Sequence, residues 1–392
     1  MNMPRATPLS PSQPQRRRLL RAASALPLLP LLPLSWANAA AAAQPVLRGT
    51  VQRVRFTATP APGLVNPQDM ARMFTRSTLE VQSLSAGQTL TQRWRLDYTP
   101  FFMTGEMVPD GRGGKILAGG YVDHSGQPIV DRSVPGQERQ FFSDCPDGMS
   151  LLKLKQAKVP GVKGNPVFAV VQFEYTSRNM AGQSAYGNLP SPMAVLTLDQ
   201  DPKSGQLKLV KYHNVDCSGV QGLWITCGAS LSPWNTHLSS EEYEPDAANP
   251  NNRSLQAFSA AYFGNPAKAS PYHYGHLPEV SVNPDGTGSI KKHYCLGRIS
   301  HELVQVMPDE RTVIMGDDWT NGGAFMFVAD IARDLSAGTL YVAKWNQTSG
   351  IGPGSATLSW IKLGHASSAE IRAMVNKGIK AADIMDVRST DP

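Results

Sequence analysis

Short β-like runs cut off by turns recur along most of this chain, and no other feature limits the fold as strongly. Residues 46–59 and 89–98 alternate apolar with polar side chains, the two-residue period of a half-buried strand. Residues 166–175 (PVFAVVQFEY) form a nearly unbroken apolar run and read as a buried strand. Further strands are expected at 194–198, 208–212 and 311–316. Turn signals separate them: Pro109-Asp110-Gly111, Ser125-Gly126, Lys203-Ser204-Gly205, Asp285-Gly286 and Ala337-Gly338. Strands at this spacing predict an all-β sandwich, barrel or propeller. The 34 glycines and 31 prolines, with only 17% charged residues, fit many turns and few long surface helices. Residues 367–384 are the exception. There Ile371, Met374, Val375 and Ile379 share one helical face, and Ser367 with Glu370 makes a capping-box signature. Residues 242–265 read as the longest irregular insertion, and no strict repeat is present.

The N-terminus has a different character. Arg16-Arg17-Arg18 is followed by an apolar stretch broken by Pro27, Pro30 and Pro33, and then by Ala37-Asn38-Ala39. This is the layout of a cleaved twin-arginine export signal over residues 1–39, and its prolines argue against a membrane-spanning helix. The expectations are a periplasmic or secreted protein, the twin-arginine translocase as partner during export, and no stable membrane anchor. Residues 1–39 hold five of the 37 basic residues and no acid, which leaves 32 basic against 31 acidic residues in the mature chain. The sequence pI of about 9.1 therefore belongs to the precursor and gives no case for nucleic acid or anionic membranes. About 350 residues remain, enough for one large domain or two ordinary ones.

Four cysteines, Cys145, Cys217, Cys227 and Cys295, are too few to staple a chain of this size. They leave open two bridges, or one bridge with metal-bound thiolates. Three blocks concentrate chemistry: Cys227 to Glu242 (CGASLSPWNTHLSSEE), Gly297-Arg298-Ile299-Ser300-His301-Glu302, and Met315-Gly316-Asp317-Asp318-Trp319. Carboxylate clusters suit Ca²⁺, a thiolate among carboxylates suits a transition ion such as iron, and an arginine offers a planar fork to phosphate oxygens. No G-x-S-x-G elbow, P-loop or H-E-x-x-H is present, so serine-hydrolase, nucleotide-binding and zincin chemistries lack their anchors.

At these blocks the chain resembles the PhoX-type alkaline phosphatases. Cys227, Pro233, Trp234, Thr236, Leu238, Glu241 and Glu242 stand in the register of the family's cysteine-to-glutamate block. Gly297, Arg298, His301 and Glu302 match its Gly-Arg-x-x-His-Glu, and Asp317-Asp318 its acidic pair after a strand. The resemblance is strong from Cys227 onward and loose before Gly222. It implies a mainly β, β-propeller-like fold with irregular insertions and a short C-terminal helix, occupying residues 40–392. It also implies an exported phosphomonoesterase in which an oxygen nucleophile activated by Ca²⁺ and Fe³⁺ attacks a small-molecule phosphate ester. Position by position, Cys227 becomes an iron ligand, and Glu241, Glu242, Glu302, Asp317 and Asp318 candidate metal ligands. Arg298 becomes the candidate catalytic contact to phosphate. Two departures stand out: Asn235 replaces the family's glycine after Trp-x, and Gly228-Ala229-Ser230 replaces Ala-Gly-Gly. Family members also draw acidic ligands from beyond the position of Pro392, so this domain is expected to be incomplete at that end.

Plainer readings stand beside these. Cys227 could pair with Cys217 ten residues earlier, paired glutamates are most often a solvated turn, and His301 reads as a core histidine. His273 and His276 fall in a Pro/Gly-rich stretch and read as a surface loop. The alternative function from another class is a non-catalytic calcium-binding propeller acting as an interaction module.

Overall fold

The computed structural model describes residues 48–57, 78–95, 100–249 and 251–384. The export signal, parts of the expected strands at 46–59 and 89–98, and the chain end lie outside the described residues. Among the described residues no helix is long and apolar enough to cross a membrane.

The fold is mainly β and propeller-like, made of antiparallel sheets whose strands pair with their sequence neighbours. Strands β1 (Thr50–Phe56), β2 (Thr78–Ser85) and β3 (Gln88–Arg95) form a first meander. Two small ribbons follow, β4 (Met107–Pro109) with β5 (Lys115–Leu117), and β6 (Val130–Asp131) with β7 (Arg139–Gln140). The second meander holds β8 (Cys145–Leu152), β9 (Asn165–Tyr175), β10 (Met193–Gln200) and β11 (Leu207–Asn214). The third holds β12 (Ser230–Leu231), β13 (His237–Leu238), β14 (Leu277–Val282) and β15 (Gly288–His293), with helix α1 (Arg253–Phe263) between β13 and β14. The last has five strands: β16 (His301–Val306), β17 (Thr312–Asp317), β18 (Ala324–Ile331), β19 (Asp334–Ser349) and β20 (Ser355–Ser367). Helix α2 (Ser368–Asn376) comes directly after β20.

The continuous apolar run of β9 has a direct cause. Its odd residues Val167, Ala169, Val171 and Phe173 pack with Ala194, Leu196, Leu198 and Tyr212. Its even residues Phe168 and Val170 pack with Met193, Val195, Leu223 and Val280 on the other face. A strand covered on both sides loses the polar alternation of a half-exposed one. The even face turns polar at Gln172 and Glu174, both buried, and this polar end leads to the site described below.

Three expectations change here. Residues 253–263, read as irregular, form α1. Asn252 caps it by accepting from the Leu255 N–H, and Leu255, Phe258 and Tyr262 bury one face. Ala337-Gly338, read as a turn, lies inside β19, where a Cβ on Gly338 would stand 2.4 Å from the Val328 carbonyl oxygen and 2.5 Å from the Phe327 ring. The glycine marks close approach of strands rather than a reversal. Helix α2 begins with the expected capping box at Ser367 and Glu370 but ends at Asn376, just before Gly378.

Candidate metal centre

Several segments distant in sequence are stitched together by their backbones. The Cys227 N–H donates to the Ser240 carbonyl, and the Glu242 N–H to that of Ile225, so the segments around 226 and 241 run side by side. The His301 N–H donates to the Glu241 carbonyl, which brings in the start of β16. The Gly148 N–H donates to the Cys227 carbonyl, and Gln172 Nε2 reaches the same oxygen, which ties in β8 and β9. Gly228 makes the convergence possible: a Cβ there would lie 1.9 Å from the Glu302 carbonyl oxygen. That explains why a glycine follows the cysteine in this chain. Asn235 sits in the left-handed region at φ +72°, a conformation asparagine tolerates, and its side chain donates to the Lys153 carbonyl. Ile225 (φ +38°) and Tyr243 (φ +36°) are also left-handed, an unusual cost for bulky side chains, and both flank the converging segments.

The result is a thiol ringed by carboxylates. Cys227 Sγ lies 3.5 Å from Asp147 Oδ2 and 3.5 Å from Glu302 Oε2. Ligand atoms of Asp147, Glu174 and Cys227 fall within 4.8 Å of one another, as do those of Cys227, Glu242 and Glu302. Glu174 and Glu242 are buried, whereas Asp147 and Glu302 are exposed. Asp318 stands beside Glu242 and accepts a hydrogen bond from Tyr243 Oη at 2.6 Å.

The electrostatics call for positive charge. Burial, and then the Asp318, Glu302 and Glu174 carboxylates, push Glu242 up to about 9. Burial and Asp147 push Glu174 up to about 7, against a hydrogen bond from Cys145. Burial and the surrounding carboxylates drive the Cys227 thiol far up. Among the described residues no lysine or arginine forms an ion pair with Asp147, Glu174, Glu242 or Glu302. A set of close acids with one thiol and, among the described residues, no lysine or arginine paired to it fits bound metal ions. The oxygens suit Ca²⁺, and the sulfur suits an iron-type ion.

The expected site residues divide. Cys227, Glu242, Glu302 and Asp318 come together. Glu241 points the other way, fully buried, where it accepts from the backbone N–H groups of Trp224, Gly275 and His276 and from Lys292 Nζ at 2.8 Å. Arg298 donates to the carbonyls of Pro245 and Pro271, lies over the Tyr272 ring and faces Glu244 at 3.9 Å. Asp317 pairs with His301 across β16–β17, and its Oδ1 is buried without a partner. Asp147 and Glu174 were missed in the sequence. The one signal for Glu174 is a carboxylate at the end of an apolar strand, and Asp147 has none beyond its place in Cys145-Pro146-Asp147-Gly148, which lies in β8.

All four cysteines are free, so neither bridge weighed above forms. His301 is fully buried, as expected of a core histidine. His273 and His276, read as surface loop, are buried instead: His273 Nδ1 contacts Tyr294 Oη, and the His276 ring lies 4.2 Å from that of Tyr294.

Residues 194–390, half of the chain, match the family described as alkaline phosphatase PhoX. The solved structure of Pseudomonas fluorescens PhoX in complex with vanadate, a transition state analogue, is similar at 21% identity with a TM-score of 0.45. That match covers 72% of this chain and 60% of the other, so the chain spans less than two thirds of that protein's length. No curated protein matches it. The matched region contains Cys227, Glu242, Glu302 and Asp318, and the chain belongs to the PhoX alkaline phosphatase family.

Proposed function

We propose that the chain is an exported, metal-dependent phosphomonoesterase whose centre is built on Cys227, Asp147, Glu174, Glu242 and Glu302. The convergence of four carboxylates on one sulfur carries the reading. These residues would hold Ca²⁺ and Fe³⁺, which would supply charge neutralisation for a phosphate and activation of an attacking oxygen. The chain's own residues prepare that site. Asp147 Oδ2 and Glu302 Oε2 are both placed to take the Cys227 proton when the sulfur becomes a ligand. Tyr243 Oη fixes Asp318 against Glu242, and the left-handed backbone at Tyr243 sets that direction. Arg298 serves the phosphate in this reading by exchanging the carbonyls of Pro245 and Pro271 for phosphate oxygens, and Asp317 is a candidate to complete the acidic set. Those carbonyl bonds are also the observation that favours the second reading, a non-catalytic calcium-binding module.

The mature chain loaded with Ca²⁺ and Fe³⁺ is expected to release p-nitrophenol from p-nitrophenyl phosphate, and chelation to abolish the release. Cys227→Ser should lose bound iron while keeping calcium, as read by elemental analysis. A metal-loaded protein without turnover overturns the enzyme reading and leaves the binding module.

Export is a second part of the proposal. A chain that takes up its metals inside the cell benefits from crossing the membrane folded, which is what the twin-arginine route provides. Replacing Arg16 and Arg17 together by lysine is expected to retain the precursor in the cytoplasm, as read by cell fractionation. Undiminished export of that variant would exclude the twin-arginine translocase as the partner.

A further inference from the structure

A cavity of about 600 Å³ lies against β11, the edge strand of the second meander. None of Asp147, Glu174, Cys227, Glu242 and Glu302 lines it, so it is separate from the metal centre. Its wall includes the buried apolar side chains of Met193, Val215 and Leu223. The two ends carry opposite charge. At one end the β4–β5 turn packs on β11, where a Cβ on Gly111 would stand 2.7 Å from Lys211 Cγ. That contact brings Arg112 and Lys115 to the cavity beside His213. Their side chains make no hydrogen bond or ion pair among the described residues. Asp110 also stands here, accepting from the N–H groups of Arg112 and Gly114, so two cations face one carboxylate. At the other end stand Asp123 and Asp216, with no lysine or arginine in the wall beside them. The His124 N–H donates to the Tyr262 carbonyl, and the Gly222 N–H to that of Cys217. A Cβ on Gly222 would lie 2.9 Å from the Tyr262 ring, so the Asp123 loop, α1 and the Asp216 segment meet. The Val215 N–H still donates to Met193, which keeps the chain extended past Asn214. Three extended residues separate His213 from Asp216, a span of up to about 10 Å.

We propose that this cavity binds a small zwitterion, with its anionic head on Arg112 and Lys115 and its ammonium on Asp123 and Asp216. The volume suits a small molecule, and the apolar wall suits an alkyl chain joining the two charges. Arg112 offers a fork to a carboxylate or phosphate. Asp216 Oδ1 accepts from the Ser218 N–H, and Asp123 Oδ1 from Ser125 and Gln127, which fixes both carboxylates at that end. The site stands or fails independently of the phosphatase reading, because it shares no residue with the acidic centre.

The test is calorimetric binding of 6-aminohexanoate, hexanoate and hexylammonium to the whole mature chain. The zwitterion should bind about tenfold more tightly than either half, the scale of one charge-assisted hydrogen bond. Asp216→Asn should abolish most of the advantage over hexanoate and leave hexanoate binding unchanged. Arg112→Gln should abolish most of the advantage over hexylammonium, and Arg112→Lys should retain it. Both variants should melt with the wild type, since the Arg112 side chain bonds nothing and Asp216→Asn keeps the acceptor for Ser218. Equal affinity for the zwitterion and either half overturns the site. So does an absence of saturable 6-aminohexanoate binding, or affinities that neither variant changes.

Discussion

Glu241→Gln should destabilise the protein by about 3–5 kcal/mol, whereas its neighbour Glu242→Gln should leave the metal-free fold as stable as before or more so. The two glutamates are adjacent in sequence and opposite in role. Glu241 is fully buried and satisfied by three backbone N–H groups and by Lys292, whose side chain is 1% exposed. Lys292 donates its remaining hydrogens to the carbonyls of Gly222 and His273. Neutralising Glu241 leaves that ammonium buried without its counter-charge, which is the costly way to break a buried pair. Lys292→Met should be damaging for the converse reason. Glu242 is buried among Glu174, Glu302 and Asp318 with no lysine or arginine paired to it among the described residues. In the metal-free fold it is held protonated at neutral pH, and a neutral amide removes the cost of that proton uptake, on the order of 1–2 kcal/mol. The same change removes a candidate metal ligand. Urea titration of the chelated proteins and elemental analysis of the loaded ones should therefore give opposite orders: Glu241→Gln is weak in stability, Glu242→Gln weak in metal. If both variants lose stability equally, Glu242 is a structural residue and the acidic cluster is not a metal centre.

That contrast also shows how far the sequence could be read. Adjacent residues on an extended segment point to opposite sides, so one of the pair had to face away from any centre. Which one did so depends on Lys292, fifty residues on in β15, and nothing near the glutamates announces it. Cys227, Glu242 and Glu302 were legible because their blocks are compact and match a family. Asp147 and Glu174 were not, because they arrive through the Gly148–Cys227 backbone bond and the pairing of β8 with β9, both long-range contacts. The β class was legible from turn spacing. Helix α1 was hidden because only Leu255, Phe258 and Tyr262 mark its face, among small and polar residues that also fit a loop.

Below about pH 6.5 two buried histidines should destabilise the chelated protein, a contribution separable from that of its carboxylates. His237 is fully buried between Ser150 Oγ and Gln172 Oε1, and burial lowers it to about 3. His273 packs against Tyr294, and burial followed by the Lys292 and Arg372 charges lowers it to about 4. Both stay neutral in the fold, while the unfolded chain protonates near 6.5. Below that pH the unfolded state binds protons that the native state refuses, so stability is complete above 6.5 and falls until the folded values are reached. Each histidine contributes a slope of up to about 1.4 kcal/mol per pH unit in that window. The crowded carboxylates act with the opposite sign. Glu242 and Glu174 have native values above 4.5, so in the metal-free protein they add stability as pH falls from 9 and 7 towards 4.5. Wild type alone therefore mixes two trends, and the difference between wild type and His237→Gln or His273→Gln isolates the histidine part. Each variant should lose less stability than wild type between pH 6.5 and 5, as read by urea midpoints at fixed ionic strength. Parallel curves for wild type and both variants would mean that these imidazoles protonate in the folded state, which their burial forbids.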